Sequence, residues 1–196
     1  MLFNTNLPKQ LNKSQRIYLT ADQHYGHRKI IQYSNRPFKD LDEMNKVLKE
    51  NHNKVVRPND HIIHIGDFLF GKAYDLIRLL RELNGHHYLI DGSHDQALED
   101  VINEGGFPED VKVTILPKLF EFKYGGHKIV LCHYAMAKWM ASHHGSLHFY
   151  GHSHGNYNNG GRSMDVGVDC HNYSPILLED AIERVHNKPI FETRKY

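Results

Sequence analysis

The sequence predicts an α/β domain built on two β-sheets. Its first half alternates short apolar runs with amphipathic segments, the pattern of parallel strands joined by covering helices. Its second half has strand-like runs in close succession, two of them joined by the hairpin turn Gly125-Gly126. No linker, repeat or low-complexity tract interrupts the 196 residues. We therefore predict one domain over residues 1–196, in which residues 1–15 form a poorly structured lead-in.

Hydrophobic spacing and breaker residues predict the elements of the first half. The segment 42–55 carries Met44, Val47 and Leu48 at helical spacing, and Pro58 follows its end. Residues 60–65 form a nearly continuous apolar run, as in a strand buried on both faces. The predicted elements are a strand at 16–21, a helix at 42–55, a strand at 60–65, a helix at 73–83 and a strand at 87–90.

The second half changes character, and a second sheet is predicted there. Its apolar runs follow one another more closely than the first-half strands do, which favours direct strand-to-strand connections. The predicted elements are strands at 111–115, 119–124 and 127–132, a short helical stretch near 135–141, and strands at 147–150 and 163–168. Residues 175–182 and 189–193 are expected to close this sheet.

Composition excludes some classes of function. The net charge is +1, so the chain has no overall basic field of the kind that drives non-specific nucleic-acid binding. No stretch approaches the roughly 18 apolar residues that a membrane span needs. The first 16 residues contain no apolar signal core, and two cysteines do not suggest a disulfide framework. We expect a cytoplasmic protein without a membrane partner.

Metal-binding side chains follow five of the predicted strands, where ligands of α/β sheets collect. Because residues two apart on an extended strand project to one side, Asp22 can share a pocket with His24, and His152 with His154. Carboxylates and imidazoles together suit Mn²⁺, Fe²⁺, Zn²⁺ or Ni²⁺ better than Mg²⁺ alone. Each piece alone is common, but five in this order predict a metal centre. The pieces are Asp22-Gln23-His24, Gly66-Asp67, Gly92-Ser93-His94-Asp95, His133 and Gly151-His152-Ser153-His154.

In these pieces the chain resembles the calcineurin-like metallophosphoesterases, whose signature runs D-x-H, G-D, G-N-H-[DE], H and G-H-x-H. It is more narrowly similar to small phosphoesterases carried by bacteriophages and bacteria, which would place it in a host cytoplasm if a phage encodes it. The similarity runs from Arg16 to about Ile182. It implies a four-layer α-β-β-α sandwich, with two mixed sheets flanked by helices. The segments that carry the narrower similarity are "HRKIIQYSNRPF", "LLRELNGHHYLIDGSHD", "SLHFYGHSHG" and "SMDVGVDCHNYSPI".

The resemblance implies two divalent transition metals, with Mn²⁺ as the expected ion and Ni²⁺, Fe²⁺ or Zn²⁺ as alternatives. Asp67 is expected to bridge the two metals, and a hydroxide between them is the implied nucleophile. His94 is expected to donate a proton to the leaving oxygen. Asp95 would be a helix cap or a support for the ligands. The implied ligands are Asp22, His24, Asp67 and His154 for the first metal, and Asp67, residue 93, His133 and His152 for the second.

Position 93 departs from the family signature, because Ser stands where the signature has Asn. An Asn side chain offers a carbonyl oxygen to the second metal and an amide to the phosphate. Serine is shorter, and its hydroxyl is a poorer neutral ligand. We expect Ser93 to weaken occupancy of the second metal and to lower activity without abolishing it.

The sequence leaves the substrate open. Ser93, Arg28 and Arg36 are expected to contact the substrate, with the two arginines on its phosphate, although a solvated basic turn is the alternative for Arg36. We expect hydrolysis of small phosphoesters, chiefly nucleotide or cyclic-nucleotide phosphodiesters. A nuclease acting on nucleic-acid ends and a catalytically impaired interaction module are the alternatives, and the oligomeric state is not determined. The aromatic residues considered for stacking a base are Tyr25, Phe38, Tyr134, Trp139 and Tyr150.

Overall fold

Two mixed β-sheets form the centre of the protein. The structure is a computed structural model that describes residues 15–158 and 160–190. In chain order its strands and helices are β1 (Ile17–Thr20), α1 (Ile30–Tyr33), α2 (Leu41–Val55), β2 (His61–Ile65), α3 (Ala73–Glu82), β3 (His86–Ile90), α4 (Gln96–Asn103), β4 (Val113–Ile115), β5 (Leu119–Tyr124), β6 (His127–Cys132), β7 (Leu147–Tyr150), β8 (Ser163–Asp165), β9 (Ile176–Leu177) and α5 (Leu178–His186).

Each sheet combines parallel and antiparallel pairs. The first has the strand order β4-β3-β2-β1-β9, in which only β9 runs antiparallel to its neighbour. The second has the order β5-β6-β7-β8, and the hairpin β5-β6 is its antiparallel pair. The predicted fold class, two mixed sheets flanked by helices, is confirmed. The predicted lead-in lies almost wholly outside the described residues.

The main core lies between the two sheets. Leu19 and Ile63 of the first sheet share it with Ile129, Leu131 and Phe149 of the second, all of them fully buried. The helices α2, α3 and α4 cover the opposite face of the first sheet in a second cluster. The strands β1 and β2 are therefore buried on both faces, which explains their continuous apolar sequences. None of the described helices is long and apolar enough to span a membrane.

The segment 175–182 does not close the second sheet, so that prediction was wrong. Ile176 and Leu177 pair instead with β1 at the edge of the first sheet. The chain then continues as α5, whose Leu178, Ala181 and Val185 recur at helical spacing and pack into the core between the sheets. Residues 189 and 190 form no strand, and 191–193 lie outside the described residues.

The helical stretch predicted near 135–141 is also absent. A short 3₁₀ helix follows it at Ser142–His144, after Ala141 adopts a left-handed conformation with φ of 59°. Trp139 packs against His148, and its indole N–H donates to the Ser146 carbonyl at 3.1 Å. This irregular segment thereby covers the His148 side chain of β7.

Three buried histidines form a cluster between α2 and the first sheet. The rings of His52, His64 and His87 lie 5.3–6.1 Å apart and are stacked. His64 shares hydrogen bonds with Gln23 at 3.0 Å and with His87 at 3.1 Å. Burial lowers the pKa of His52 to about 4 and that of His87 to about 3. The folded protein therefore keeps these rings neutral in mild acid.

These histidines should make the fold acid-labile. Below pH 6.5 these histidines bind protons in the unfolded chain but stay neutral in the folded chain. The free energy of unfolding is therefore unaffected by them above pH 6.5 and decreases as the pH falls. His52→Gln, which keeps an N–H donor for the Asn84 carbonyl, should reduce the loss in free energy of unfolding between pH 7 and pH 5 by about 2 kcal/mol. Urea unfolding in the presence of a chelator measures it.

The control for this prediction is His143→Gln, which replaces an exposed histidine. It should leave the pH dependence of unfolding as in the wild type. Equal pH dependence in the wild type and in His52→Gln would contradict the assignment of acid lability to the buried histidine cluster.

Candidate metal centre

The candidate ligands meet where the two sheets present the carboxyl ends of their parallel strands. Asp22 lies two residues after β1, Asp67 two after β2 and Ser93 three after β3. On the second sheet, His133 follows β6 directly and His152 lies two residues after β7. A backbone N–H of His152 donates to both carboxylate oxygens of Asp22 at 2.9 Å, which joins the loops of the two sheets.

Two groups of candidate ligand atoms lie there. Asp22, His24 and His154 make one group, and Asp67, His133 and His152 make the other, with all ligand atoms of a group within 4.8 Å of one another.

Asp67 lies between the groups. Its Oδ2 is 3.5 Å from His24 Nε2 and its Oδ1 is 3.3 Å from His133 Nε2. Each carboxylate oxygen thus faces a different histidine, an arrangement that allows the carboxylate to bridge two cations.

The histidines are oriented as metal ligands. His133 Nδ1 donates to the Ile65 carbonyl at 2.8 Å, and His154 Nδ1 to Asp169 at 2.8 Å, so each Nε2 remains for a cation. Among the described residues, the buried Nε2 atoms of His24 and His133 have no hydrogen-bond partner. Because an unpaired buried polar atom is costly, the residues present fit divalent cations at this position.

The backbone of the ligand loops is strained. Five candidate ligands have positive φ: Asp22 (58°), His24 (52°), Asp67 (54°), His152 (67°) and His154 (47°). Asp22 and His24 do not lie on an extended strand, so the alternation of side chains along a strand is not the reason that they share a pocket. Left-handed residues cost of order 1–3 kcal/mol each and concentrate at functional sites.

Close packing of the loops fixes this strained backbone. A Cβ atom at Gly66 would clash with the His133 ring, and one at Gly92 with the Asp67 carboxylate. The Asp95 carboxylate accepts the N–H of Asp67 at 2.8 Å and that of Phe68 at 2.7 Å. Asp95 therefore supports the ligand loop, and its side chain does not cap α4.

Ser93 contacts the shared carboxylate directly. Its backbone N–H donates to Asp67 Oδ1 at 2.6 Å, and its hydroxyl lies 3.1 and 3.0 Å from Oδ1 and Oδ2. The N–H of His94 also donates to Oδ1, at 2.9 Å. Oδ1, the oxygen that faces His133, thus already accepts hydrogen bonds from its neighbours, which reduces its capacity as a ligand.

The structure places Arg36 in the interior, which contradicts its expected role as a substrate contact. Its guanidinium forms a bidentate pair with Asp169 at 2.8 Å and donates to the carbonyls of Asp22 at 2.6 Å and Gln23 at 2.9 Å. The side chain is 0% exposed. A fully bonded and buried guanidinium has no donor left for a substrate phosphate, so Arg36 positions the ligand loops.

Burial and mutual charge shift the pKa values of the ligands in opposite directions. Burial raises the pKa of Asp22 to about 7 and lowers that of His24 to about 3. Burial also lowers the pKa of His133, but the adjacent Asp67 carboxylate outweighs burial and raises that pKa to about 9. A cation must displace protons from Asp22 and His133, so metal affinity increases with pH.

The two ligand groups adjoin a cleft of about 840 Å³. Arg28 lines this cleft with Lys29, and His94 is exposed at its wall. Of the aromatic residues considered for stacking, Tyr25, Trp139 and Tyr150 are buried, and Phe38 packs on Tyr173. Tyr134 is 48% exposed, and its ring lies 4.7 Å from that of His152.

Sequence reasoning missed four residues of this region. Asp169 holds His154 and Arg36, and Asp165 accepts hydrogen bonds from Ser153 and Gly155 at 2.8 and 3.0 Å. Both occur in the segment "SMDVGVDCHNYSPI", which is the only sequence signal for them. Tyr33 and Phe70 line the cleft and are exposed, but nothing in their sequence context distinguishes them.

Comparison with known proteins agrees with this site. Residues 16–164 match the model of the calcineurin-like phosphoesterase superfamily domain. The chain belongs to this superfamily. Membership makes it a phosphoesterase, and thus a hydrolase, and the paired Asp and His groups support its dependence on divalent metal ions.

Two relatives extend the comparison over nearly the whole chain. The uncharacterized protein MJ1445 of Methanocaldococcus jannaschii is 31% identical over 188 residues, covering 91% of this chain and 96% of the relative. The crystal structure of AQ665, a protein of unknown function from Aquifex aeolicus, superimposes with a TM-score of 0.65 at 23% identity. It covers 87% of this chain and 99% of the other, and shows a shared fold.

Arg36→Lys should weaken metal binding. Lysine keeps the charge but has three N–H donors in place of five and no planar fork for the Asp169 carboxylate, so the loops of Asp22 and His154 lose part of their shared support. We expect Mn²⁺ affinity to fall about 10- to 100-fold, as for other residues that orient ligands. Calorimetric titration of the metal-free protein with Mn²⁺ measures this. Arg28→Lys, on the exposed wall, is the control and should bind Mn²⁺ as the wild type does; a parallel loss in both variants would refute the assignment.

Proposed function

We propose that this protein is a two-metal phosphoesterase that hydrolyses small phosphoesters, chiefly nucleotide or cyclic-nucleotide phosphodiesters. The observation that carries the proposal is Asp67, whose two oxygens face two separate groups of ligands at the base of one open cleft. We assign Asp22, His24, Asp67 and His154 to the first metal. Asp67, His133, His152 and, weakly, Ser93 belong to the second. Mn²⁺ is the ion we expect.

The protein residues divide the work of the reaction. Bound cations supply Lewis-acid activation of water and neutralise charge on the phosphoryl group. We assign proton donation to the leaving oxygen to His94, which is exposed and whose backbone N–H donates to Asp67. Arg28 and Lys29 line the cleft and can bind a second anionic group of the substrate.

The charge distribution favours a small substrate over a nucleic acid. Arg28 and Lys29 are the only Lys or Arg residues among the described residues that line the cleft. Four other exposed cations, Arg16, Lys54, Arg57 and Arg184, line a separate groove of about 520 Å³ that shares no residue with the cleft. A nuclease needs a continuous basic track along its substrate backbone, and these two sets of cations do not form one.

The test is a metal-reconstituted assay with Mn²⁺ or Ni²⁺ against bis-p-nitrophenyl phosphate, p-nitrophenyl phosphate and cyclic nucleotides. His94→Ala should lower kcat about 100-fold or more on cyclic nucleotides, because their alkoxide leaving groups need a proton. The loss on p-nitrophenyl esters should be smaller, since nitrophenolate leaves without one. Equal losses on both kinds of substrate would refute His94 as the proton donor.

Ser93→Asn should increase second-metal occupancy and turnover. The change removes a hydroxyl that bonds the shared carboxylate and restores a carbonyl ligand, so we expect about tenfold tighter binding of the second Mn²⁺. Ser93→Ala is the matched control, because it removes the hydroxyl without supplying a ligand. Metal stoichiometry and kcat are measured for all three proteins. No gain in either quantity would exclude this explanation, and inactivity of Ser93→Asn on every substrate would favour an interaction module.

A further inference from the structure

Three aromatic rings form an exposed wall beside His94. The wall consists of His27, Tyr33 and Phe70, and we call it the aromatic shelf. Phe70 is 53% exposed and Tyr33 is 68% exposed. The His27 ring stacks on Phe70 at 4.8 Å with an interplanar angle of 20°, and Tyr33 meets His27 edge-on at 6.4 Å. All three line the same cleft as the metal ligands.

The backbone holds the shelf in place. The loop after β1 lies along the loop after β2, with Tyr25 N–H donating to the Phe68 carbonyl at 3.0 Å and Phe70 N–H to the Tyr25 carbonyl at 2.8 Å. Gly26 has φ of 80°, and a Cβ there would clash with the Phe70 carbonyl. Phe70 is therefore presented by a fixed backbone, although exposing its ring to water forgoes stabilisation from burial.

The shelf adjoins the proton donor. The His94 ring lies 6.3 Å from the Phe70 ring and 6.1 Å from the His27 ring. If His94 protonates the leaving oxygen, whatever is attached to that oxygen must lie next to these rings. The shelf is thus on the leaving-group side of the cleft.

We propose that the aromatic shelf binds a nucleoside as the leaving group of a phosphodiester. This rests on the proposed function and adds which of the two ester groups is expelled. Stacked rings present a flat face that suits a nucleobase, and stacking tolerates any base. The cleft volume of about 840 Å³ exceeds the need of a phosphoryl group with a short alkyl ester. Arg28 and Lys29 lie beside the shelf, where they can contact the sugar or a further phosphate.

One substrate tests this directly. Adenosine 5′-(methyl phosphate) has two ester bonds with alkoxide leaving groups of similar basicity, only one of which carries a base. Water adds to phosphorus in either case. Cleavage of the bond to the 5′ oxygen releases adenosine and methyl phosphate, and cleavage of the methyl ester releases methanol and AMP. The shelf predicts that the Mn²⁺-loaded enzyme releases chiefly adenosine.

The ratio of adenosine to AMP should depend on the shelf. Phe70→Ala should lower it about tenfold, and Phe70→Trp, which keeps a stacking ring, should preserve it. Tyr74→Ala is the matched control, since Tyr74 is 68% exposed on α3 but does not line the cleft. Because the ratio comes from one substrate, it does not depend on how much enzyme carries both metals.

The outcomes separate the two proposals. Suppose that the enzyme hydrolyses bis-p-nitrophenyl phosphate. The shelf assignment would then be overturned by release of mainly AMP, by an unchanged ratio in Phe70→Ala, or by no cleavage of the adenosine ester. The phosphoesterase function would stand in each case. A wild-type enzyme and a Ser93→Asn variant that both fail on every phosphoester would overturn the proposed function itself.

Discussion

The carboxylate of Asp67 is the element on which the rest of the site depends. It is buried, yet the adjacent His133 and the charge of His24 outweigh burial and hold its pKa well below the usual range. A buried anion of this kind needs donors or cations on every side. The two ligand groups, Ser93 and His94 supply them from both sheets. The two sheets must therefore meet with their strand ends adjacent.

The network behind the ligands compensates for their strained backbone. Five left-handed residues together cost several kcal/mol, an energy comparable to much of the stability of a domain. Arg36 offsets part of this by bonding the carbonyls of Asp22 and Gln23, while Asp169 joins Arg36 to His154. Asp95 does the same for the loop of Asp67. One ion pair between distant parts of the chain thus holds ligands from both sheets.

The two ends of the site differ in chemical character. Around the first group lie His94, the proposed proton donor, and the aromatic shelf, which offers a flat surface. Around the second group lie Ser93 and Tyr134, which give a hydroxyl bonded to Asp67 and an exposed ring. This asymmetry assigns direction to an otherwise symmetrical pair of ligand groups. In the proposed reaction it would distinguish the leaving group from the rest of the substrate.

The sequence by itself determined the elements and ligands that depend on local pattern. Continuous apolar runs such as β2 and strand-end motifs such as Gly66-Asp67 could be recognised because burial and turn chemistry act within a few residues. Only the tertiary structure placed Leu177 at an edge of the first sheet, buried Arg36 behind the ligands and brought Phe70 beside His94. Those placements follow from contacts between residues far apart in the chain, such as the 133 residues that separate Arg36 from Asp169. No pattern of neighbouring residues in the sequence predicts these placements.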